Sequence, residues 1–229
     1  MKTILFILII SFISTSFSQT KHALVVTISD YQDDAWGDPL SSDNDNILIQ
    51  STLENQKFKK ENIQSLIESE ATVKNLSNEF EKLIKKIKKD DVVYFHFSGH
   101  GQWIEDIDGE YLQKPNKFLK EDEKDGLDET LVMYDAPNYD QDELIASNYE
   151  FENHFSDDQL SHYLTRIRNK IGANGQVFMT IDACHSGTIS RNAQTKKVRG
   201  TKKICSRQKN LDNYLPDKTI GYGLDLANL

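Results

Sequence analysis

The stretch VVYFHFSGHG, residues 92–101, decides the fold, and the stretch VFMTIDACHSG, residues 177–187, repeats its pattern. Each begins with apolar, β-branched and aromatic residues, which predict a buried strand. Each then presents a reactive side chain, His100 in the first stretch and Cys184 in the second. If the two strands are parallel neighbours, both side chains emerge at the carboxyl edge of one sheet, where open α/β sheets bind ligands. A thiol beside an imidazole predicts a cysteine nucleophile and its base.

Strand and helix patterns alternate along the rest of the chain. Strands are predicted at 23–28, 63–67, 92–97, 131–134 and 177–181, and helices at 45–53, at 72–89 and after Ser156. In the first helix we expect Ile47, Leu48 and Leu53 to face the core. The alternation predicts an α/β fold with a mostly parallel sheet and helices on both faces.

Two segments depart from this alternation. Residues 105–129 are acidic and rich in turn formers, which predicts a long loop. Residues 191–209 carry many Lys and Arg and no Asp or Glu. Composition alone therefore favours a solvated linker for the second segment.

The first 18 residues have the pattern of a secretory signal. Lys2 precedes an apolar run, and small residues follow at the expected cleavage position. We therefore expect an exported chain, periplasmic or secreted, without a transmembrane span in its mature form. The formal net charge of −9 over 229 residues argues against nucleic-acid binding and favours basic partners.

The chain has two cysteines, Cys184 and Cys205. An exported protein can hold such a pair as a disulfide, but that bridge would consume the thiol of the most motif-like segment. We therefore favour a free thiol at Cys184 and assign no role to Cys205. Since a free thiol has a pKa of about 8.5, it needs a base near neutral pH.

His100 is the candidate base because Gly99 and Gly101 flank it and leave room for a turn and a substrate. The backbone N–H groups of Gly101 and Cys184 are the predicted oxyanion hole. His96 lies within the strand and is expected to be a core residue.

These segments resemble the caspase-like cysteine peptidases, specifically the metacaspases. The resemblance rests on 96–101 and 182–187, and it extends to 40–45, 125–131 and 156–160. It implies a three-layer caspase-like fold, and a cysteine endopeptidase that uses His100 and Cys184 as a dyad on protein or peptide substrates.

The resemblance also divides the chain. After the signal peptide at 1–18, it implies a catalytic domain of the large-subunit type at 19–190, which a basic linker and a truncated C-terminal segment follow at 191–229. In this family further strands follow the linker. We therefore expect the chain to lack the last C-terminal strands of the sheet, which a small-subunit partner would supply.

Asp182 stands where caspases carry Gln, two residues before the nucleophile. In metacaspases this Asp and one in the first helix form an acidic S1 pocket, and the matching residue here is Asp45. The resemblance therefore implies cleavage after Arg or Lys, whereas sequence alone would make Asp45 a first-turn acid of a helix. Such an enzyme could also cleave its own linker, after Lys197, Arg199 or Lys203.

The resemblance further implies a calcium site, although no cofactor is expected to be required. Some metacaspases bind an activating Ca²⁺ through four Asp side chains, and Asp128, Asp157 and Asp158 match three of them. The fourth position falls near Arg191, which is no Ca²⁺ ligand. Sequence alone makes Asp157 and Asp158 first-turn acids that complement a helix dipole.

Two other functions fit parts of the pattern. A non-catalytic caspase-like domain would bind basic peptide segments through its acidic face without cleaving them. A peptidase of the legumain or gingipain kind also places a His-Gly and a Cys at strand ends. The acid at Asp182 and the run 184–187 favour the metacaspase interpretation.

Overall fold

Four strands form a parallel sheet at the centre of the protein, and its two inner strands are largely apolar runs buried on both faces. The computed structural model describes residues 19–105, 127–183 and 205–206. The strands of this sheet are β1 (Lys21–Thr27), β2 (Ile63–Ile67), β3 (Val92–Ser98) and β7 (Gln176–Asp182). Their order is β2-β1-β3-β7, with every neighbouring pair parallel.

Helices cover both faces of this sheet. They are α1 (Ser42–Asn55), α2 (Val73–Lys86) and α4 (Asp157–Ile171), while α3 (Gln141–Ala146) packs against Ile104 and Cys205 outside this sheet. Phe95 and Phe97 of β3 pack with buried residues of α2 and α4 on one face. Val25 of β1 packs with Leu53 of α1 on the other. The predicted three-layer α/β architecture is confirmed.

The caps of two helices follow their sequence signals. Thr72 Oγ1 accepts a hydrogen bond from Asn75 N at 3.2 Å and starts α2. Ser156 and Gln159 form a reciprocal capping box that starts α4. Because these signals are local, the predicted starts of both helices are confirmed, although α2 ends at Lys86 rather than Lys89.

The buried face of α1 differs from the prediction. Leu53 is buried as expected, but Ile47 and Leu48 are 67% and 64% exposed. Positions 45, 49 and 53 recur at a spacing of four and lie on one helical face, which is turned to the sheet. Ile47 and Leu48 lie outside that face, so placing them in the core was wrong.

A second, antiparallel sheet carries the residues that follow β3. Its strands are β4 (Gly101–Glu105), β5 (Leu127–Val132) and β6 (His154–Ser156), in the order β4-β5-β6. The predicted loop at 105–129 therefore overlaps strands at both ends, and residues 106–126 lie outside the described part of the chain. The prediction failed there because polar residues of β5 are bonded to β4. Thr130 Oγ1 donates to Gln102 O at 2.8 Å, and Glu129 Oε1 accepts from Trp103 Nε1 at 3.1 Å.

Two residues of the predicted basic linker belong to the fold. Cys205 N donates to Trp103 O at 3.0 Å, and Glu105 N donates to Cys205 O at 3.1 Å. Cys205 and Ser206 are both buried. A solvated linker is therefore wrong for these two residues, because Cys205 pairs with the edge of β4 away from β5 and Ser206 Oγ donates to Glu105 Oε2 at 3.2 Å.

The signal segment at 1–18 lies outside the described residues, so export and the division into domains stay predictions. Within the described ranges, none of the helices has the length and apolar character needed to cross a bilayer.

Candidate active site

The two motif strands end side by side, as the sequence predicts. In the β3–β7 pair, Ser98 is the partner of Asp182. Beyond the ladder, Gly99 N donates to Asp182 O at 3.2 Å. His100 follows Gly99, while Ala183 follows Asp182 and is the last described residue before Cys184. Cys184 lies outside the described residues, and the structure confirms the parallel strands that lead to it. The predicted burial of the second strand is wrong, because β7 lies at the edge of the described sheet and most of its residues are exposed.

The imidazole of His100 is packed against two aromatic rings that also contact each other. His100 is 5% exposed, and its ring centroid lies 4.9 Å from that of Tyr31 and 5.2 Å from that of Trp36. Trp36 is itself fixed, because its Nε1 donates to Ala136 O at 2.8 Å. The ring of His100 is therefore confined before any substrate binds.

Gly99 is required by close packing rather than by a turn. A Cβ atom at this position would lie 2.7 Å from Tyr31 Oη and 2.9 Å from Phe97 Cζ. Both distances are shorter than van der Waals contact. The glycine before His100 therefore lets the phenol of Tyr31 approach the backbone.

Gly101 begins β4, and the alternation of the ladder directs its N–H away from β5. Val132 N donates to His100 O at 3.0 Å, so His100 and Val132 form a hydrogen-bonded pair. The next pair, Gly101 and Leu131, is therefore a non-hydrogen-bonded pair. On the opposite edge of β4, Trp103 O accepts from Cys205 N. Alternate residues of a strand form hydrogen bonds on the same edge, so Gly101, like Trp103, directs its N–H away from β5.

Ser98 donates to one of the two carboxylates predicted to bind substrate and pairs in the sheet with the residue that carries the other, and sequence analysis missed it. Ser98 is fully buried, and its Oγ donates to Asp45 Oδ2 at 2.6 Å. Ser42 Oγ lies 3.1 Å from the same hydroxyl. Since paired residues in a sheet direct their side chains to the same face, Asp182 shares the face of Ser98 and Asp45. The signal available in the sequence was a polar residue at the end of an apolar strand.

The predicted calcium ligands come from two elements. Asp128 is buried on β5, while Asp157 and Asp158 are half-buried in the first turn of α4. Among the described residues, no group of three or more His, Cys, Asp or Glu side chains is arranged to hold a metal ion. The position near Arg191 lies outside the described residues, so the calcium site stays a prediction.

Two other histidines have hydrogen-bond partners within the fold. His96 is buried as predicted, with Nδ1 2.7 Å from Thr180 Oγ1. His154 lies 2.9 Å from both Tyr149 Oη and Gln102 Oε1, and burial lowers its pKa to about 3. His154 therefore stays neutral and structural near pH 7.

Comparison with known proteins agrees with this arrangement. The caspase domain matches residues 20–222. Metacaspase-1B of Neurospora crassa is 28% identical over 120 residues, which is 52% of this chain and 22% of that protein. Metacaspase III c of Phaeodactylum tricornutum is 30% identical over 136 residues, which is 58% of this chain and 32% of that protein.

The chain thus spans about a fifth to a third of the length of these curated relatives. The crystal structure of protein GSU0716 from Geobacter sulfurreducens aligns with a TM-score of 0.51 at 22% identity, over 74% of this chain and 52% of that chain. At that identity the likeness supports the fold alone. Because the caspase domain matches most of its residues, the chain belongs to the caspase domain family, and its curated relatives are metacaspases.

Proposed function

We propose that this chain carries the catalytic residues of a cysteine endopeptidase, with Cys184 as nucleophile and His100 as base. The observation that carries the proposal is the common end of β3 and β7, where Gly99 N donates to Asp182 O. Gly99 immediately precedes His100, and Asp182 lies two residues before Cys184. The caspase domain match and the metacaspase relatives support the same chemistry.

In the proposed reaction His100 takes the proton of the Cys184 thiol, and the thiolate attacks the carbonyl carbon of the scissile peptide bond. The N–H groups of Gly101 and Cys184 donate to the oxyanion that forms. His100 then returns the proton to the leaving amine. Water, deprotonated by His100, hydrolyses the thioester and releases the acid and the free thiol. No step involves a metal ion.

We propose Arg or Lys as the residue before the cleaved bond. The support is the pair of carboxylates at one sheet edge, half-buried Asp45 on α1 and exposed Asp182 on β7. A guanidinium can bind carboxylates through two parallel hydrogen bonds, which are stronger than neutral ones. A domain that only binds basic segments would use the same carboxylates, so cleavage has to be measured directly.

We also propose that a further segment or a small-subunit partner adds to β7. In the described part of the chain β7 is an edge strand, with Phe178 52% and Ile181 38% exposed. An edge strand offers unpaired backbone groups, and apolar side chains on it favour a covering element.

The test is the hydrolysis of fluorogenic peptides that differ only in the residue before the reporter, which is Arg, Lys or Asp. We expect the wild-type chain to cleave the Arg and Lys peptides and to leave the Asp peptide intact. Intact-mass analysis of the same samples should show cuts after Lys197, Arg199 or Lys203. Assays with Ca²⁺ and with a chelator determine whether the ion contributes.

Cys184→Ala is the matched control, and it should bind the Arg peptide without cleaving it or itself. Equal binding of the Arg peptide by both proteins, with cleavage by neither, would support the non-catalytic binding domain instead. Cleavage of the Asp peptide at the same rate would contradict the basic specificity.

A further inference from the structure

The hydrogen-bond ladder between β4 and β5 is interrupted at His100. His100 stands opposite Val132, one pair beyond Gly101 and Leu131. Val132 N donates to His100 O at 3.0 Å. In a regular antiparallel ladder such a pair exchanges both bonds, so His100 N should donate to Val132 O.

The hydroxyl of Tyr31 occupies the place of that second bond. His100 N donates to Tyr31 Oη at 2.7 Å, and Tyr31 Oη donates to Val132 O at 3.2 Å. All three residues are buried. The phenol is thus inserted in the ladder at the residue that carries the proposed base.

The ring of Tyr31 also confines the imidazole. The two ring centroids are 4.9 Å apart with an interplanar angle of 36°. The hydroxyl would lie 2.7 Å from a Cβ atom at position 99, so only glycine there admits it. Tyr31 therefore contacts His100 at the backbone through its hydroxyl and at the side chain through its ring.

The loop that carries Tyr31 is anchored on both sides. Ser29 N and Asp30 N donate to the two carboxylate oxygens of Glu68 at 2.9 and 3.0 Å. Gln32 N donates to Tyr134 O at 3.0 Å. With its neighbours fixed in this way, Tyr31 is a rigid support and not a mobile side chain.

We propose that Tyr31 is a positioning residue for the base of the reaction. Its inserted hydroxyl sets the distance between His100 and Val132, and with it the point from which the imidazole projects. Without the hydroxyl, the N–H of His100 loses its acceptor, and the backbone of His100 is no longer held at this distance from Val132. The released backbone displaces the imidazole, and a displacement of about 1 Å in an active site can cost about 10²-fold in rate. The inference rests on the proposed function, in which His100 is the base.

The test is Tyr31→Phe, which keeps the ring and removes only the hydroxyl. We expect kcat for the Arg peptide to fall about 10- to 100-fold with KM nearly unchanged, because a misplaced base affects chemistry and not binding. Tyr163→Phe is the control, since Tyr163 lies on α4 with its ring stacked on Phe80, away from the site. That variant should keep wild-type kcat. A Tyr31→Phe enzyme with wild-type kcat, whether or not its KM rises, would overturn the proposal.

Amide hydrogen exchange separates this inference from the proposed function. If the wild-type chain cleaves no peptide, the endopeptidase proposal fails, yet the inserted hydroxyl still makes a prediction. The amide of His100 should exchange faster in Tyr31→Phe than in wild type, while amides of α4 stay the same. An unchanged rate at His100 would refute the positioning role even in an inactive protein.

Discussion

His100→Ala is expected to lower kcat for an Arg-ended peptide by about 10²- to 10⁴-fold, the range that general-base catalysis contributes. KM should change little, because the side chain acts on the thiol and not on the basic side chain of the substrate. The loss has a recognisable pH dependence. A thiol ionises unaided near its ordinary pKa of about 8.5, so the variant should recover rate between pH 7 and 9 more steeply than wild type.

Two further variants make this result specific. Cys184→Ala should be inactive at every pH, and adding His100→Ala to it should cost nothing more, since both residues serve one step. His162→Ala is the matched control, because His162 is exposed on α4 and far in sequence from the motif. A His100→Ala enzyme within tenfold of wild type at pH 7 would remove His100 from the mechanism.

Asp45→Asn is expected to lower kcat/KM for the Arg peptide by about 10²-fold, because loss of one partner of a desolvated charge pair leaves the other charge poorly compensated. The effect should vanish for a peptide that ends in citrulline, which has the shape of Arg without its charge. Asp182→Asn should act in the same direction but less strongly, since Asp182 is exposed and water screens it.

Ser98→Ala and Asp142→Asn provide comparisons for the loss of kcat/KM in Asp45→Asn. Ser98→Ala keeps both carboxylates but removes the hydroxyl that donates to Asp45 Oδ2, so a smaller loss of Arg selectivity is expected. Asp142 is an exposed first-turn acid of α3, and its replacement should leave kcat/KM unchanged. If Asp45→Asn keeps the preference for Arg over citrulline, the acidic pocket has been assigned to the wrong residues.

Local signals explain which elements could be predicted from the sequence. Thr72 and Ser156 cap their helices through bonds that span three residues, so the pattern alone identifies them. The inner strands β1 and β3 were also predictable, because burial on two faces leaves long apolar runs. The strand β5 was not, because its polar side chains are satisfied only by partners on β4.

The supporting residues of the site depend on contacts that are distant in sequence. Ser98 and Asp45 are 53 residues apart, and His100 and Tyr31 are 69 apart. No periodicity links such pairs, and only the fold brings them together. Cys205 is a similar case, because its polar neighbours in sequence indicate exposure while its backbone pairs with β4.

The most direct test of the central claim is labelling by a peptidyl chloromethyl ketone that ends in Arg, followed by mass spectrometry. A thiolate displaces chloride from this probe, so one stable adduct is expected, on Cys184, in the wild-type chain. Cys184→Ala should carry none, and His100→Ala or a probe ending in Asp should react much more slowly. The buried Cys205 provides a second thiol in the same molecule for comparison. An adduct on Cys205 instead, or equal labelling by the Arg and Asp probes, would contradict a Cys184 nucleophile beside a pocket for basic residues.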